Sequence, residues 1–318
     1  MSDGMKVSEF MLNLQRRLIE ERKVTESTAT QYLQTLWKLS GQKKFNNLAW
    51  AKKYDQVQAI IDTYAKSTQG NQYGVLASVL SLFADKPTYK KTYKHWREKS
   101  IEAHKAASET DVHEMTPKQE ENWLTWEEVE KKKFGLSEEI SSLVSTKKLS
   151  EAQFDMLMQY VVLSLYTDIA PRRNQDYLDM YVVKRLPKDY PKDKNFYDLH
   201  CKTFIFNKYK TSKTYGEQRI AVPEKLQSVL AMLIKHHPNK SQKEFKLLVK
   251  SDGSPLNTVN SITRILNRIF DRAVGSSMLR HIYLSTRFSG STKEMNETAD
   301  AMAHSRAVQN TYIKKENE

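Results

Sequence analysis

The chain has 318 residues with 51 Lys or Arg and 38 Asp or Glu, so its net charge is +13 at pH 7 and it is long enough for two domains. This excess of positive charge suits a polyanion, because Lys and Arg near phosphates release counterions. The sequence has no run of 18 apolar residues, no apolar stretch near its start and one cysteine, which argues against membrane insertion, secretion and an internal disulfide.

Residues 1–105 are predicted to form a helical domain. Apolar residues recur there at helical spacing, as in Leu14 and Leu18 and again in Leu33 and Leu36. Further helices are predicted at about 54–66, 71–85 and 88–105, with breaks at Gly41, Gly70 and Pro87.

Basic residues outnumber acidic ones in this first region, and several lie near predicted helix ends or loops. Two interpretations stay open for them: a solvated helical face, or a surface that clamps duplex DNA through its phosphates. The candidate DNA contacts here are Lys43, Lys44, Lys90, Lys91 and Lys94.

Residues 106–148 are predicted to be an acidic linker followed by packing helices. Between 106 and 144 there are ten acidic and four basic residues. Thr116-Pro117 and Thr125-Trp126 are typical helix starts, since each Thr has Gln or Glu three positions later. Trp123, Trp126 and Val129 would be the buried side. Because an acidic segment avoids DNA, we expect it to pack on the next domain or to face water.

The third region, 149–318, is basic again. A capping box at Ser150 predicts a helix through Tyr166. Three strands are predicted at 196–199, 203–206 and 219–222, and a polar turn from Asn207 to Gln218 joins the last two. Helices are expected at 224–236, 257–273 and 276–288, followed by two short ones.

Five segments of this region carry side chains that bind or attack phosphates. Taken singly, each has a more ordinary interpretation, such as a surface arginine, a solvated loop lysine or an exposed tyrosine. In chain order they are Pro171-Arg172-Arg173-Asn174-Gln175-Asp176, Asn207-Lys208-Tyr209-Lys210-Thr211, Ser277-Met278-Leu279-Arg280-His281, Ala303-His304-Ser305 and Tyr312.

In this order the segments resemble the tyrosine recombinases of the phage-integrase family, in the style of those from large eukaryotic DNA viruses and their mobile elements. The resemblance covers residues 150–318 by motif and 1–105 only by helical character. It implies a mainly α protein with a small antiparallel β-sheet. A helical core-binding domain would join a catalytic domain of the DNA breaking-rejoining fold, and the two would close around duplex DNA.

The resemblance also implies a role for each motif residue. Arg173 and Arg280 would hold the phosphate, because a guanidinium binds it bidentately and stays protonated. Tyr312 would attack to give a 3′-phosphotyrosine, and Lys210 would protonate the leaving 5′-oxygen. The remaining residues would hydrogen-bond the phosphate or support the site: His304, Ser277, Asp176 and His281.

Two choices stay open within these motifs. The family has an acidic residue three positions after its first catalytic arginine, which favours Arg173 because Asp176 follows it, and leaves Arg172 as a phosphate contact or a surface charge. Lys208 and Lys213 compete with Lys210 as the loop lysine, and are otherwise candidate DNA contacts.

Two features depart from the family pattern. Ser277 stands where a histidine is usual, and a hydroxyl donates a hydrogen bond but carries no charge. His304 and Tyr312 are one residue closer than is common, which rotates the tyrosine by about 100° on a helix. This spacing leaves open whether Tyr312 acts in its own active site or in a neighbour's.

By the same resemblance the partner would be double-stranded DNA, bound by a homotetramer on paired sites without a cofactor or metal. The protein would be intracellular, wherever the DNA lies: in the nucleus, the cytoplasm or a viral factory. Two alternatives use similar residues: a monomeric type IB topoisomerase and a non-catalytic DNA-binding relative.

Overall fold

A computed structural model describes residues 6–109, 115–143 and 145–302. The chain divides into two compact units, Met1–Glu114 and Met115–Glu318. The structure is mainly helical with one small sheet in the second unit, as the sequence predicts. No described helix is both long and apolar enough to span a bilayer.

The first unit is entirely helical over its described residues. Its five α-helices are α1 (Glu9–Glu20), α2 (Glu26–Leu39), α3 (Tyr54–Asp62), α4 (Lys66–Leu80) and α5 (Pro87–Glu109), with 3-10 turns at Ala49–Lys52 and Ser81–Phe83. The side chains of Ser8 and Thr25 cap the first two helices. Trp96 lies at the centre of the core, fully buried, and donates a 2.9 Å hydrogen bond to the carbonyl of Ala51.

Gly70 does not break the helix, contrary to the prediction from sequence. It lies inside α4, where a Cβ atom would contact the Cβ of Ala103 in α5 at 3.6 Å. Gly74, one turn later, faces Ser100 of α5 in the same way. The small residues therefore let α4 and α5 approach closely, and tertiary packing outweighs the low helix propensity of glycine.

The second unit contains eight described helices and five strands. The helices are α6 (Pro117–Asn122), α7 (Trp126–Ser141), α8 (Glu151–Thr167), α9 (Asn174–Leu178), α10 (Ser212–Tyr215), α11 (Glu224–His236), α12 (Val259–Phe270) and α13 (Ser276–Ala301). The strands are β1 (Met180–Val183), β2 (Asn195–Asp198), β3 (Thr203–Phe206), β4 (Gln218–Ala221) and β5 (Glu244–Lys246).

Helix α8 is the centre of this unit. It packs against α7, α11 and α12, and its residues from Val161 to Tyr166 are all buried. The capping boxes predicted at Thr116, Thr125 and Ser150 are all present. Val129 of α7 is fully buried in the same core, so the acidic segment belongs to the second unit from Met115 onward, whereas residues 106–114 belong to the first.

The sheet has the strand order β4-β3-β2-β1-β5 and is mixed, so the predicted purely antiparallel sheet is wrong in one pairing. β1 pairs with β2 in parallel, whereas the other pairs are antiparallel. Residues 184–194 provide the crossover connection that a parallel pair requires. The predicted hairpin across Asn207 to Gln218 is confirmed, since β3 pairs with β4.

Helix α13 is longer than the predicted 276–288. It continues through Gly290 to Ala301, where the sequence indicated a break and a separate short helix. The helix continues past Gly290 without close packing at that position, since a Cβ atom added at Gly290 would meet nothing within 4 Å.

The close packing of α4 on α5 can be tested at Gly70. We expect Gly70→Leu to lower the free energy of unfolding by about 1–3 kcal/mol, because its side chain overpacks the contact with Ala103. Gly70→Ala is the matched control. Its Cβ makes an ordinary contact, so it should be neutral or stabilise by about 0.5–1 kcal/mol. Urea unfolding followed by circular dichroism measures both; a Leu variant as stable as the Ala variant would contradict the packing.

Candidate active site

The site begins at the turn before α9. Arg173 is the N-cap residue of this helix and has an extended backbone (φ −76°, ψ 149°), so it precedes the helix rather than lying on it. Arg172 comes one residue earlier, and both arginine side chains line the same pocket. Of the two, only Arg172 makes side-chain hydrogen bonds among the described residues.

Arg172 is held inside the protein. Its Nε donates to a carboxylate oxygen of Asp176 at 2.9 Å, and its Nη1 donates to the side-chain oxygen of Gln218 at 2.8 Å. The guanidinium also lies over the ring of Phe206, 3.9 Å from its centre. The side chain is only 14 % exposed, so Arg172 is not the free surface charge that the sequence left open.

Asp176 therefore pairs with Arg172 and not with Arg173, which corrects the expected pairing. The partners are four residues apart, whereas the expected spacing was three. Burial raises the pKa of the Asp176 carboxyl, and the positive charge of Arg172 opposes that rise. Asp176 supports the site by fixing Arg172, which joins α9 to the hairpin at Gln218.

Arg173 and Arg280 line the same pocket, of about 220 Å³. Within the described part of the chain, neither guanidinium makes an ion pair with a carboxylate. Arg280 donates from Nε to the carbonyl of Ser276 at 3.3 Å, on its own helix. Burial and the nearby charge of Arg173 both lower the pKa of Arg280. Arg172 and Asp176 line this pocket as well, so it holds three guanidinium groups and one carboxylate, and that carboxylate is hydrogen-bonded to Arg172.

A buried tyrosine holds the first arginine-bearing segment. The hydroxyl of Tyr166 donates to Asn174 at 2.6 Å, next to Arg173 in sequence. Asn174 in turn donates from Nδ2 to the carbonyl of Val259 and to the hydroxyl of Thr263 on α12. Burial raises the pKa of Tyr166 far above its usual value, so this tyrosine is a structural link rather than a nucleophile.

A buried amide fixes the start of the hairpin loop. Asn195 has no exposed surface; its Nδ2 donates to the carbonyls of Asp176 and Lys208, and its Oδ1 accepts from the backbone N–H groups of Asn207 and Lys208. The roles of Asn195 and Gln218 were not predicted from the sequence. A polar amide directly before two aromatic residues was the only signal for Asn195.

The loop lysines lie on the rim of the site. Lys210 and Lys213 are exposed, and neither lines the pocket, although Tyr209 and Thr211 beside Lys210 do. Lys208 forms an ion pair with Asp179 at 3.3 Å and remains 56 % exposed. Lys208 thus has an acidic partner, whereas Lys210 and Lys213 have no ion pair among the described residues.

Ser277 and His281 lie on α13 beside Arg280, and both are exposed. His281 is therefore not packed as the family resemblance implied. His304 and Tyr312 lie outside the described residues. Among the described tyrosines, Tyr215 on the hairpin loop lines the arginine pocket and is 67 % exposed.

The basic residues predicted in the first unit are all exposed. Lys43 and Lys44 border a hollow of about 430 Å³ that Trp50 also lines. Lys90, Lys91 and Lys94 lie on α5, where Lys94 has an exposed ion pair with Glu98 at 3.8 Å. These positions are compatible with either interpretation of the basic residues.

No protein-family model, curated protein or solved structure matches the chain in comparisons with each. In the described part of the chain, no group of three or more His, Cys, Asp or Glu side chains is arranged to hold a metal ion.

The two neighbouring arginines should differ sharply in their effect on stability. We expect Arg172→Ala to cost about 3–5 kcal/mol, because it leaves the carboxylate of Asp176 buried without its partner. Arg173→Ala should change the free energy of unfolding by less than about 0.5 kcal/mol, because the lost side chain has no such partner. Urea unfolding of both variants measures the difference, and equal costs would contradict these assignments.

Proposed function

We propose that the protein is a DNA strand transferase of the tyrosine-recombinase type, which cuts and rejoins duplex DNA through a 3′-phosphotyrosine. The observation that carries this proposal is the shared pocket of Arg173 and Arg280. These residues are distant in sequence, and each comes from a segment that the resemblance selects.

The electrostatics of the pocket support a phosphate as its ligand. Two guanidinium groups repel each other, and their mutual repulsion is relieved when an anion lies between them. A phosphodiester offers two non-bridging oxygens, and arginine binds such oxygens with its planar set of donors. The donors are already placed, so they need little reorganisation when charge develops in the transition state.

In the proposed reaction, Arg173 and Arg280 hold the scissile phosphate. The phenol of Tyr312 loses its proton to water as its oxygen attacks phosphorus. The bond to the 5′-oxygen breaks, and Lys210 supplies the proton that leaves with the 5′-hydroxyl and regains one from water. Ser277 and His304 would hydrogen-bond the phosphate. Religation by a second 5′-hydroxyl reverses these steps and releases the tyrosine. In this proposal the protein acts as a homotetramer that holds two DNA sites together.

Covalent capture of DNA tests the nucleophile. We expect the protein, incubated with randomised duplexes that carry a nick, to form an adduct that survives denaturant and contains phosphotyrosine at Tyr312. The nick lets the short cleaved strand diffuse away, so the adduct accumulates. Tyr312→Phe should abolish it, and Tyr215→Phe, which removes the hydroxyl of the exposed pocket tyrosine, should retain it.

Three outcomes would count against the proposal. An adduct that is lost in Tyr215→Phe and retained in Tyr312→Phe would show that Tyr215, and not Tyr312, is the nucleophile. DNA binding without any adduct would favour the non-catalytic relative. Relaxation of supercoiled plasmids by a monomer, without preference for any captured sequence, would favour a type IB topoisomerase.

The general acid can be identified with a sulfur substitution. We expect Lys210→Ala to slow cleavage of ordinary DNA by about 10²–10⁴-fold. A substrate with sulfur in place of the 5′-bridging oxygen should restore the rate, because a thiol leaving group is far more acidic than an alcohol and needs no proton donor. Lys208→Ala and Lys213→Ala are the comparison variants. Rescue of either of them instead of Lys210→Ala would move the role to that lysine.

A further inference from the structure

Helix α7 contains a buried lysine that sequence analysis gave no role. Lys133 forms an ion pair with Asp168, and the two side chains are 4 % and 5 % exposed. Isolated charges are rarely buried so deeply because desolvation is costly. Burial lowers the pKa of Lys133, and the carboxylate of Asp168 opposes that shift.

Asp168 depends on Lys133 for most of its neutralisation. Its second cation, Lys225, is 3.9 Å from the same carboxylate oxygen and 68 % exposed. The other carboxylate oxygen has no hydrogen-bond partner among the described residues. Asp168 caps the end of α8 and begins the short connection that leads to Arg172 and Arg173. Lys133 therefore holds Asp168, the residue at which the connection to Arg172 and Arg173 begins.

The same acidic segment also contacts the second arginine segment. Asn122 at the end of α6 accepts a 2.9 Å hydrogen bond from the backbone N–H of Ala273, in the turn before α13. Trp126 at the start of α7 packs against Tyr283 of α13, with ring centres 5.5 Å apart. Tyr283 lies three residues after Arg280, almost one helical turn.

We propose that α6 and α7 form a brace that positions Arg173 relative to Arg280, and that Lys133 is a positioning residue for DNA strand cleavage. The proposal rests on the proposed function, and it adds a role for residues that contact neither DNA nor the reacting atoms. One rigid segment touches both chain segments that supply the phosphate-binding arginines, so its loss would disturb their spacing.

The physical reason is the sensitivity of a preorganised site to small displacements. Without Lys133, the buried carboxylate of Asp168 would have only the exposed Lys225 as a cation near it. A buried carboxylate without a close partner lowers its free energy by moving toward water, and the chain from Asp168 to Arg173 would move with it. A displacement of about 1 Å can cost about 10²-fold in rate. Overall DNA affinity depends on many phosphate contacts and should barely change.

The main test compares Lys133→Met with Lys132→Met, which replaces the adjacent exposed lysine. Single-turnover cleavage is measured at saturating concentrations of a nicked duplex selected by covalent capture, below the melting temperature of each variant. We expect Lys133→Met to cleave at least tenfold more slowly while its Kd for the duplex changes less than twofold. Lys132→Met should match the wild type in both.

Hydrogen exchange without DNA gives a second readout that needs no enzyme activity. The amides of Asp168 and Asp176, which donate to the carbonyls of Ser164 and Arg173, should exchange faster in Lys133→Met than in the wild type or in Lys132→Met. Should Lys133→Met not fold, Asn122→Ala tests the other end of the brace. It should slow cleavage several-fold with an unchanged Kd, and Glu121→Ala, at an exposed neighbour, is its control.

The possible failures can be told apart. If the wild type forms no adduct, the proposed function is wrong, and hydrogen exchange still decides whether Lys133 holds the chain at Asp168 and Asp176. If the wild type cleaves and both brace variants cleave at its rate, the brace proposal is wrong and the proposed function stands. A loss of DNA affinity equal to the loss of rate would also overturn the positioning role.

Discussion

The main electrostatic constraint at this site is the repulsion between Arg173 and Arg280, which line one pocket whose carboxylate, Asp176, is hydrogen-bonded to Arg172. Like charges at close range repel, so the chain must hold Arg173 and Arg280 in place by other means. The buried hydrogen bonds from Tyr166 to Asn174 and from Asn174 to Val259 and Thr263 provide one such means, because they hold the segment of Arg173 against α8 and α12. The pocket keeps a net positive charge, which the proposed phosphate ligand would need.

The carboxylate of Asp176 pairs with Arg172 and not with Arg173. The positive charge of Arg173 therefore stays available to a ligand. Arg172 in turn reaches Gln218 and stacks on Phe206, so the hairpin loop is fixed relative to the arginine turn. Both neighbouring arginines line the pocket, but only Arg172 is bound to a carboxylate among the described residues.

Local rules predicted much of the fold. The capping boxes at Thr116, Thr125 and Ser150 and the strands around the hairpin follow from short-range chemistry, and the structure contains them. Long-range packing accounts for the failures: Gly70 lies in a helix because α5 needs close approach. The clustering of Arg173 with Arg280 agrees with the motif order, but no spacing rule revealed Asn195 or Lys133, whose partners are distant in sequence.

The most direct test of the central claim is a double-mutant cycle on binding of a dinucleotide with a single phosphodiester, followed by phosphorus NMR. It needs neither the target site nor the nucleophile. If both arginines hold one phosphate, Arg173→Ala and Arg280→Ala each weaken binding, and their effects are coupled by more than about 0.5 kcal/mol. Additive losses within about 0.3–0.5 kcal/mol, or no loss in either variant, would show that the two guanidiniums do not share a phosphate.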